Sequence, residues 1–326
     1  MVPIQDGANL MTIAVLGAGA MGQLFGGLLA AAGKDVHFID VDPTTVEVLA
    51  SNGVTVVLDS REHHASVTAS LPEHANGPAD MVLLFTKSFH LGPAMEACPQ
   101  IFGADTAVVS LQNGLGHLAL LRRSLGSAQV VLGVTTAPSD MVRPGLVHST
   151  RESRVVMGAM DGISDVAAVR SVLSATGFDI VGVPDVHVSI WEKLAFNAGL
   201  NLTSAVTGRT VGEMGADDHI ASLVERVVSE VVSVARAEGV GVDEAAVHDA
   251  IRSAYRDHGE HQTSMLRDVL DGRPTEVESI GGAVVELARA HRLRTPILAR
   301  LCEDVRAGRT WSHNSAAGRS PHVCGS

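Results

Sequence analysis

A glycine motif near the N-terminus constrains the fold more than any other feature of the sequence. Residues 11–33 carry no charged side chain. Apolar residues 11–16 predict a short buried strand, and residues 19–32 predict a helix that Gly33 ends. Between strand and helix stands G-x-G-x-x-G, formed by Gly17, Ala18, Gly19, Ala20, Met21 and Gly22. In such a motif the first glycine permits a tight turn, the second lets the backbone approach a pyrophosphate, and the third allows close helix–strand packing. These six residues are predicted to bind a dinucleotide; a mononucleotide site or a merely tight turn is the alternative.

An acidic residue follows at the distance that such a site requires. Residues 36–40 predict a second strand, and Asp40 ends it 18 residues after Gly22. A carboxylate there accepts hydrogen bonds from a ribose 2′-hydroxyl and repels a 2′-phosphate. No arginine stands at residues 41–44 to offset that repulsion. Asp40 therefore favours NAD(H) as cofactor without excluding NADP(H), although Asp42 and Pro43 also make it a reasonable turn residue.

The same uncharged stretch is long enough to resemble a membrane span or a signal peptide. The segment before it carries Asp6 and no lysine or arginine, so it lacks a positive leader. A buried strand followed by a buried helix is equally apolar. We therefore expect no membrane association.

Composition narrows the class of protein further. The net charge is -12, which argues against nucleic acid as a partner because phosphates require a basic face. Cys98, Cys302 and Cys324 are far apart and show no metal or disulfide spacing, which indicates free thiols in a reducing cytoplasm. His258, Glu260 and His261 match no standard zinc pattern, so we predict no metal.

Strands alternate with helices in the first half of the chain and disappear from the second. The first half contains further strand-like runs at 54–58, 81–86, 106–110, 130–136, 154–158 and 178–183, with helical stretches at 115–124 and 164–175. This alternation predicts an α/β fold with a mostly parallel, doubly wound sheet. The second half shows only helical patterns, at residues 186–207, 214–238, 243–257 and 276–292. We therefore predict a Rossmann domain at 11–184, a helical domain at 185–309, and disordered segments at 1–10 and 310–326.

Two loops of the first domain follow predicted strands. Lys87 comes just after the strand at 81–86, and Asn113 just after the strand at 106–110. Ligands of open α/β sheets bind outside the carboxyl ends of the strands. Both side chains are therefore positioned to touch cofactor or substrate, although each could equally be an ordinary surface or turn residue.

The helical half opens with a polar stripe. Lys193, Asn197 and Asn201 are spaced i, i+4, i+8 among apolar neighbours, and Ser204 falls on the same stripe. Buried asparagine needs polar partners, so a ligand is one reading and a solvated helix edge is the other. The chain has only three lysines, with Lys34 as the third. Burial lowers the pKa of a lysine and makes it a usable general acid.

Two short motifs stand further along. Ser264-Met265-Leu266 is one, and Pro274-Thr275-Glu276 is the other. Proline suits the first turn of a helix, which would place Glu276 at the positive end of the helix dipole. On spacing alone Glu276 could also be an ordinary first-turn acidic residue.

These motifs in this order resemble the ketopantoate reductase (2-dehydropantoate 2-reductase) family. The resemblance runs from Met11 to about Arg306 and rests on GAGAMG at 17–22, TK at 86–87, LQNG at 111–114, WEKLAFNAGLN at 191–201, SML at 264–266 and RPTE at 273–276. It implies an N-terminal Rossmann domain, a helical C-terminal domain like that of 6-phosphogluconate dehydrogenase, and an active site in the cleft between them.

The resemblance also implies roles for single residues. Lys193 matches the general-acid lysine of the family and Glu276 its catalytic glutamate. Asn197, Asn201 and Ser264 match substrate-binding positions, and Lys87 and Asn113 match positions near the nicotinamide. The implied reaction reduces 2-dehydropantoate to (R)-pantoate, as in pantothenate biosynthesis, and is compatible with a homodimer.

The chain departs from the family pattern at three positions. Asp40 stands where many members carry a basic residue for the NADP phosphate, and Val211 and His261 stand where some members carry asparagines. The alternatives are therefore an NAD-dependent D-2-hydroxy-acid dehydrogenase for another branched or aromatic 2-keto acid and, more distantly, a non-catalytic NAD sensor. A sensor would have no use for Lys193, Asn197, Asn201 and Glu276 together.

Overall fold

A computed structural model describes residues 11–125, 129–161 and 166–311 of the chain. The described residues divide into two compact units, 11–112 with 120–186 and 113–119 with 187–311. No single cut in the sequence reproduces this division, because the short segment 113–119 packs with the helical unit. The predicted segment 1–10 and the predicted tail from residue 312 onward lie outside the described residues.

The first unit alternates strands and helices, as the sequence predicts. Its strands are β1 (Thr12–Leu16), β2 (Asp35–Ile39), β3 (Val54–Leu58), β4 (Arg61–Ala65), β5 (Thr68–Ser70), β6 (Met81–Leu84), β7 (Ala107–Ser110), β8 (Gln129–Thr135), β9 (Asp140–Arg143), β10 (Leu146–Ser149), β11 (Arg154–Ala159) and β12 (Asp179–Gly182). Its helices are α1 (Ala20–Ala31), α2 (Pro43–Asn52), α3 (Leu91–Ala97), α4 (Leu118–Ser124), which begins in the segment 113–119, and α5 (Ala167–Ser174).

The larger sheet confirms the α/β prediction. Its eight strands run in the order β12-β11-β8-β7-β6-β1-β2-β5. Every neighbouring pair is parallel except β8 with β11. The register aligns the carboxyl ends of four strands, since Leu16 lies opposite Ile39 and Leu84, and Leu84 lies opposite Ser110. The residues that follow these four strands therefore leave the same edge of the sheet.

A second, four-stranded sheet corrects one prediction. The strand at 54–58 was predicted within the doubly wound sheet, but β3 belongs to a separate sheet of order β4-β3-β10-β9. Helix α1 packs against both sheets. A Cβ on Gly26 would lie 2.5 Å from the Phe38 ring, and a Cβ on Gly27 would lie 2.8 Å from Val56. Glycine at these two positions lets the helix approach one sheet on each side.

The second unit is helical and has its own apolar core. Its helices are α6 (His187–Asn197), α7 (Thr203–Thr207), α8 (Val211–Gly215), α9 (Asp218–Ala237), α10 (Glu244–Asp257), α11 (Ser264–Leu270), α12 (Ala283–Ala290) and α13 (Pro296–Arg306). Two π-helical segments, Ala198–Leu202 and Glu278–Gly282, continue α6 into α7 and lead into α12. The buried valines of α9 lie at the centre of the core.

Three details of this unit differ from the sequence-based expectation. Helices α11 and α13 were not predicted. Helical structure begins at Val277, so Pro274 precedes the first turn rather than occupying it. Trp311 falls in the predicted tail, yet its indole N–H donates to Asp304 Oδ2 at 2.9 Å and its backbone N–H to the Val206 carbonyl at 2.7 Å. Within the described ranges, no helix has both the length and the apolarity to span a membrane.

Candidate active site

The glycine motif forms the turn between β1 and α1. Gly17 has a φ of +100°, and a Cβ there would lie 2.6 Å from the Thr86 backbone nitrogen. A Cβ on Gly22 would lie 2.0 Å from the Gly17 carbonyl oxygen, so a side chain would push helix and turn apart. Gly19, in contrast, has open space around its Cβ position. The turn is closed on its inner side and open at the helix N-terminus, which suits a pyrophosphate held by backbone N–H groups.

Asp40 is held against this turn. Its Oδ2 accepts a hydrogen bond from the backbone N–H of Ala18 at 2.6 Å, and its Oδ1 accepts one from the backbone N–H of Asp42 at 3.0 Å. Two backbone donors fix the carboxylate, and each oxygen keeps a second lone pair for a ligand hydroxyl. Asp40 therefore lies beside the glycine turn, as a residue that binds the adenosine ribose must.

The loops that follow β6 and β7 meet next to the glycine turn. Gln112 donates from Nε2 to the Thr86 hydroxyl at 3.2 Å, and Gly17 approaches the Phe85–Thr86 backbone. Lys87 is half-buried, and its carbonyl accepts from the His90 N–H at 2.8 Å to start a 3-10 turn. The sequence did not single out Gln112, although an amide directly after a buried strand is a detectable signal.

The segment that begins at Asn113 packs on the helical unit. Asn197 donates from Nδ2 to Asn113 Oδ1 at 3.2 Å, and the Leu115 N–H donates to the Ser279 carbonyl at 2.9 Å. Gly114 has a φ of +85°, and a Cβ there would lie 2.2 Å from the same carbonyl. The structure thus brings two of the predicted site residues, Asn113 and Asn197, into direct contact.

Lys193 lies one turn before Asn197 on α6. Its side chain is half-buried, and Nζ lies 5.4 Å from the centroid of the Phe196 ring. Burial lowers the pKa of Lys193 below its ordinary value of 10.5, which is the direction a general acid near neutrality needs.

Asn201 lies in the π-helical segment that follows α6. It is 8% exposed, and its side-chain amide has no hydrogen-bond partner in the part of the chain that the structure describes. The amide atoms are not fully buried, so they are accessible to the hydrogen-bonding groups of a ligand. Ser204, on the predicted stripe, is fully buried and instead donates to the Arg209 carbonyl at 2.6 Å.

Ser264 and Glu276 flank helical segments of the same unit. Ser264 is exposed at the start of α11, a helix that packs against α7 and the first π-helical segment. Glu276 is half-buried directly before the second π-helical segment, and its carbonyl accepts from the Ser279 hydroxyl and the Ile280 N–H, both at 3.1 Å. Because Ser279 also binds Leu115, the segments that carry Glu276 and Asn113 lie side by side.

Family models match both halves of the chain. The ketopantoate reductase PanE/ApbA model matches residues 13–162, and its C-terminal counterpart matches residues 185–309. A 2-dehydropantoate 2-reductase of Halobacterium salinarum is 32% identical over 304 residues, which cover 91% of this chain and 98% of the relative.

Solved structures agree with this relationship. A D-mandelate dehydrogenase in a ternary complex with NADH and anilino(oxo)acetate is 26% identical, with a TM-score of 0.87 over 91% of this chain and 98% of the other. A PanE/ApbA family ketopantoate reductase of Ralstonia eutropha JMP134 is 28% identical, with a TM-score of 0.84 over the same shares. The chain therefore belongs to the ketopantoate reductase PanE/ApbA family and is an NAD(P)-dependent oxidoreductase.

Proposed function

We propose that this protein reduces 2-dehydropantoate to (R)-pantoate with NADH, the reduction used in pantothenate biosynthesis. The observation that carries the proposal is the α6 arrangement. A lysine whose pKa is lowered by burial lies one turn from Asn197, which already contacts Asn113. A proton donor next to an amide pair suits a ligand that has both a carbonyl and a carboxylate.

A nicotinamide cofactor held by Gly17, Gly19, Gly22 and Asp40 would supply the hydride that the keto carbon receives. Lys193 donates a proton to the carbonyl oxygen as negative charge develops there, and then regains a proton from solvent. Asn197, Asn201 and Ser264 hold the keto acid. Glu276 orients Lys193 or accepts a hydrogen bond from the new hydroxyl group.

The preference for NADH over NADPH belongs to the same proposal. The Asp40 carboxylate, fixed by Ala18 and Asp42, would repel a 2′-phosphate and bind two ribose hydroxyls. Asp40→Arg is expected to shift the ratio of kcat/KM values from NADH toward NADPH. The Asp42 N-cap, which accepts from Thr44 and Thr45, offers a control, because Asp42→Asn keeps a capping residue and should leave the ratio unchanged. An unchanged ratio in Asp40→Arg would contradict the assignment.

A second candidate is a D-2-hydroxy-acid dehydrogenase that acts on another branched or aromatic 2-keto acid. The similarity to D-mandelate dehydrogenase, the largest TM-score among the structures compared above, favours it. NADH oxidation with a panel containing 2-dehydropantoate, branched 2-keto acids and the 2-keto acid of mandelate separates the two. Higher kcat/KM for an aromatic acid than for 2-dehydropantoate would replace the first proposal by the second.

We also expect the protein in the reducing cytoplasm, where the buried free thiols of Cys98 and Cys302 persist without oxidation. A homodimer stays a prediction, which light scattering of the purified protein tests directly.

A further inference from the structure

A buried glutamine directly after the glycine motif has no role in the function described so far. Gln23 is the only side chain of α1 with a polar group, and it is 0% exposed. Its Nε2 donates to the Ala18 carbonyl at 2.6 Å and lies 3.3 Å from Met141 Sδ, while its Oε1 accepts from the Gly145 N–H at 2.8 Å. Burying an amide is costly unless its donors and acceptor are paired, and here both ends are.

The bond from Gln23 to the Ala18 carbonyl fixes one peptide of the glycine turn between β1 and α1, which is the cofactor turn. In a trans peptide the carbonyl and the following N–H point in opposite directions. By drawing the Ala18 carbonyl toward α1, Gln23 aims the Gly19 N–H away from α1. A Cβ on Gly19 would meet nothing within 4 Å, so there is open space beside this residue. The Ala18 N–H is held by Asp40 at the same time, so the peptides on both sides of Ala18 are fixed.

The second bond anchors Gln23 to a rigid point. Gly145 forms the turn between β9 and β10 with a φ of +80°, and its carbonyl accepts from the Thr55 N–H at 2.9 Å. A Cβ at Gly145 would lie 3.1 Å from Val48. The β9–β10 turn is therefore fixed by strand pairing and by α2, and it can hold the glutamine in one orientation.

We propose that Gln23 is a positioning residue that orients the Gly19 N–H toward the cofactor pyrophosphate and links the four-stranded sheet to the dinucleotide site. The inference depends on the cofactor turn and is independent of which 2-keto acid is reduced. It predicts that loss of Gln23 weakens cofactor binding while the chemistry on α6 is retained.

The test compares Gln23→Met with a second glutamine variant of the same unit, at a position that is exposed rather than buried. Gln23→Met keeps length and flexibility but removes the donor and the acceptor. Gln100→Met is the control, because Gln100 Nε2 also binds two backbone carbonyls of the same unit, those of Pro72 at 3.1 Å and Ala75 at 3.0 Å. Equilibrium Kd for NADH from fluorescence titration, melting temperature and steady-state constants are measured for both.

We expect Gln23→Met to raise the Kd and KM for NADH about tenfold, the effect of one misaligned donor, with kcat and the keto-acid KM nearly unchanged. Gln100→Met should lower the melting temperature without changing the Kd. A Gln23→Met variant that melts earlier yet binds NADH like the wild type would overturn the proposal. A wild-type protein that binds neither NADH nor NADPH would instead contradict the proposed function.

A second variant keeps the test decisive if Gln23→Met fails to fold. Gln23→Glu retains the acceptor for the Gly145 N–H, but its carboxylate faces the Ala18 carbonyl without a proton to donate. Burial raises the pKa of a carboxyl group, so mild acidification should return a donor to this position. The Kd for NADH of Gln23→Glu, divided by the wild-type Kd, is therefore expected to fall as the pH falls. If this ratio did not depend on pH, the result would count against the orienting role.

Discussion

Replacing Lys193 by methionine should abolish most activity and at the same time stabilise the protein. Methionine retains the apolar length of the side chain and removes only the ammonium group. Loss of a general acid lowers kcat by about 10²–10⁴, which corresponds to about 2.7–5.4 kcal/mol of transition-state stabilisation. The contact of Nζ with the Phe196 ring adds about 0.5–1 kcal/mol to the folded state, so it offsets little of the burial penalty.

The sign of the stability effect follows from the pKa. Burial lowers the pKa of Lys193 below 10.5, so the folded state disfavours the charged form that the unfolded chain carries at neutral pH. The penalty is complete below the folded-state pKa, and it disappears as the pH rises to 10.5. Lys193→Met should therefore melt at a higher temperature than wild type near neutrality, and the difference should shrink at alkaline pH.

Both effects are measured on the same samples. Steady-state NADH oxidation gives kcat and kcat/KM, and calorimetry gives the melting temperature across pH. For wild type, kcat/KM should fall as the pH rises through the lowered pKa of Lys193. The pH profile of the variant should show no such fall. Lys34→Met is the control, because it removes the same charge from an ordinary position at the end of α1. Near-normal turnover in Lys193→Met, or a loss of both activity and stability, would refute the assignment.

Two further experiments test the contact between Asn113 and Asn197 and the geometry of the glycine turn. Because Asn113 and Asn197 share one hydrogen bond of 3.2 Å, a double-mutant cycle of alanine substitutions in kcat/KM should give a coupling of about 0.5–1.5 kcal/mol, and additive losses would argue against the bond. In Gly22→Ala the new Cβ would lie 2.0 Å from the Gly17 carbonyl, so the turn must open by about 1 Å, and we expect lost NADH binding and a lower melting temperature. Gly241→Ala, where a Cβ meets nothing within 4 Å, should change neither; equal effects at both glycines would contradict the steric argument.

The turn between β1 and α1 was predictable because its determinants are local. The spacing of Gly17 and Gly22 fixes a backbone conformation within one turn, and the structure gives each glycine a steric reason. The position of Asp40 beside the glycine turn could be predicted from the lengths of the two strands. Strands β1 and β2 are parallel and pair up to Leu16 and Ile39, so the residues that follow them leave the sheet side by side. These inferences need no knowledge of distant partners.

The four-stranded sheet was not predictable for the opposite reason. Strand β9 is exposed at every position, and β4 is exposed at three of its five positions and buried at none. Neither therefore shows the apolar alternation by which a strand is detected. Strand β3 does alternate, but an alternating pattern does not say which sheet a strand joins. It pairs with β10, where Val56 lies opposite Val147, so its partner is distant in the sequence. The role of Gln23 depends on the β9–β10 turn and could not be predicted for the same reason.

On α6 the sequence predicted the helix and its polar stripe but not the helical geometry beyond Ala198. Four residues at about 100° each overshoot one turn by about 40°, so regular spacing would offset Asn201 sideways from Asn197. The segment Ala198–Leu202 is π-helical, and its i→i+5 turns rotate less per residue. Asn201 therefore does not lie where a regular α-helix would place it relative to Asn197. Alanine, glycine and leucine give no sequence signal for this change, so the position of Asn201 relative to Asn197 could not be predicted from the sequence.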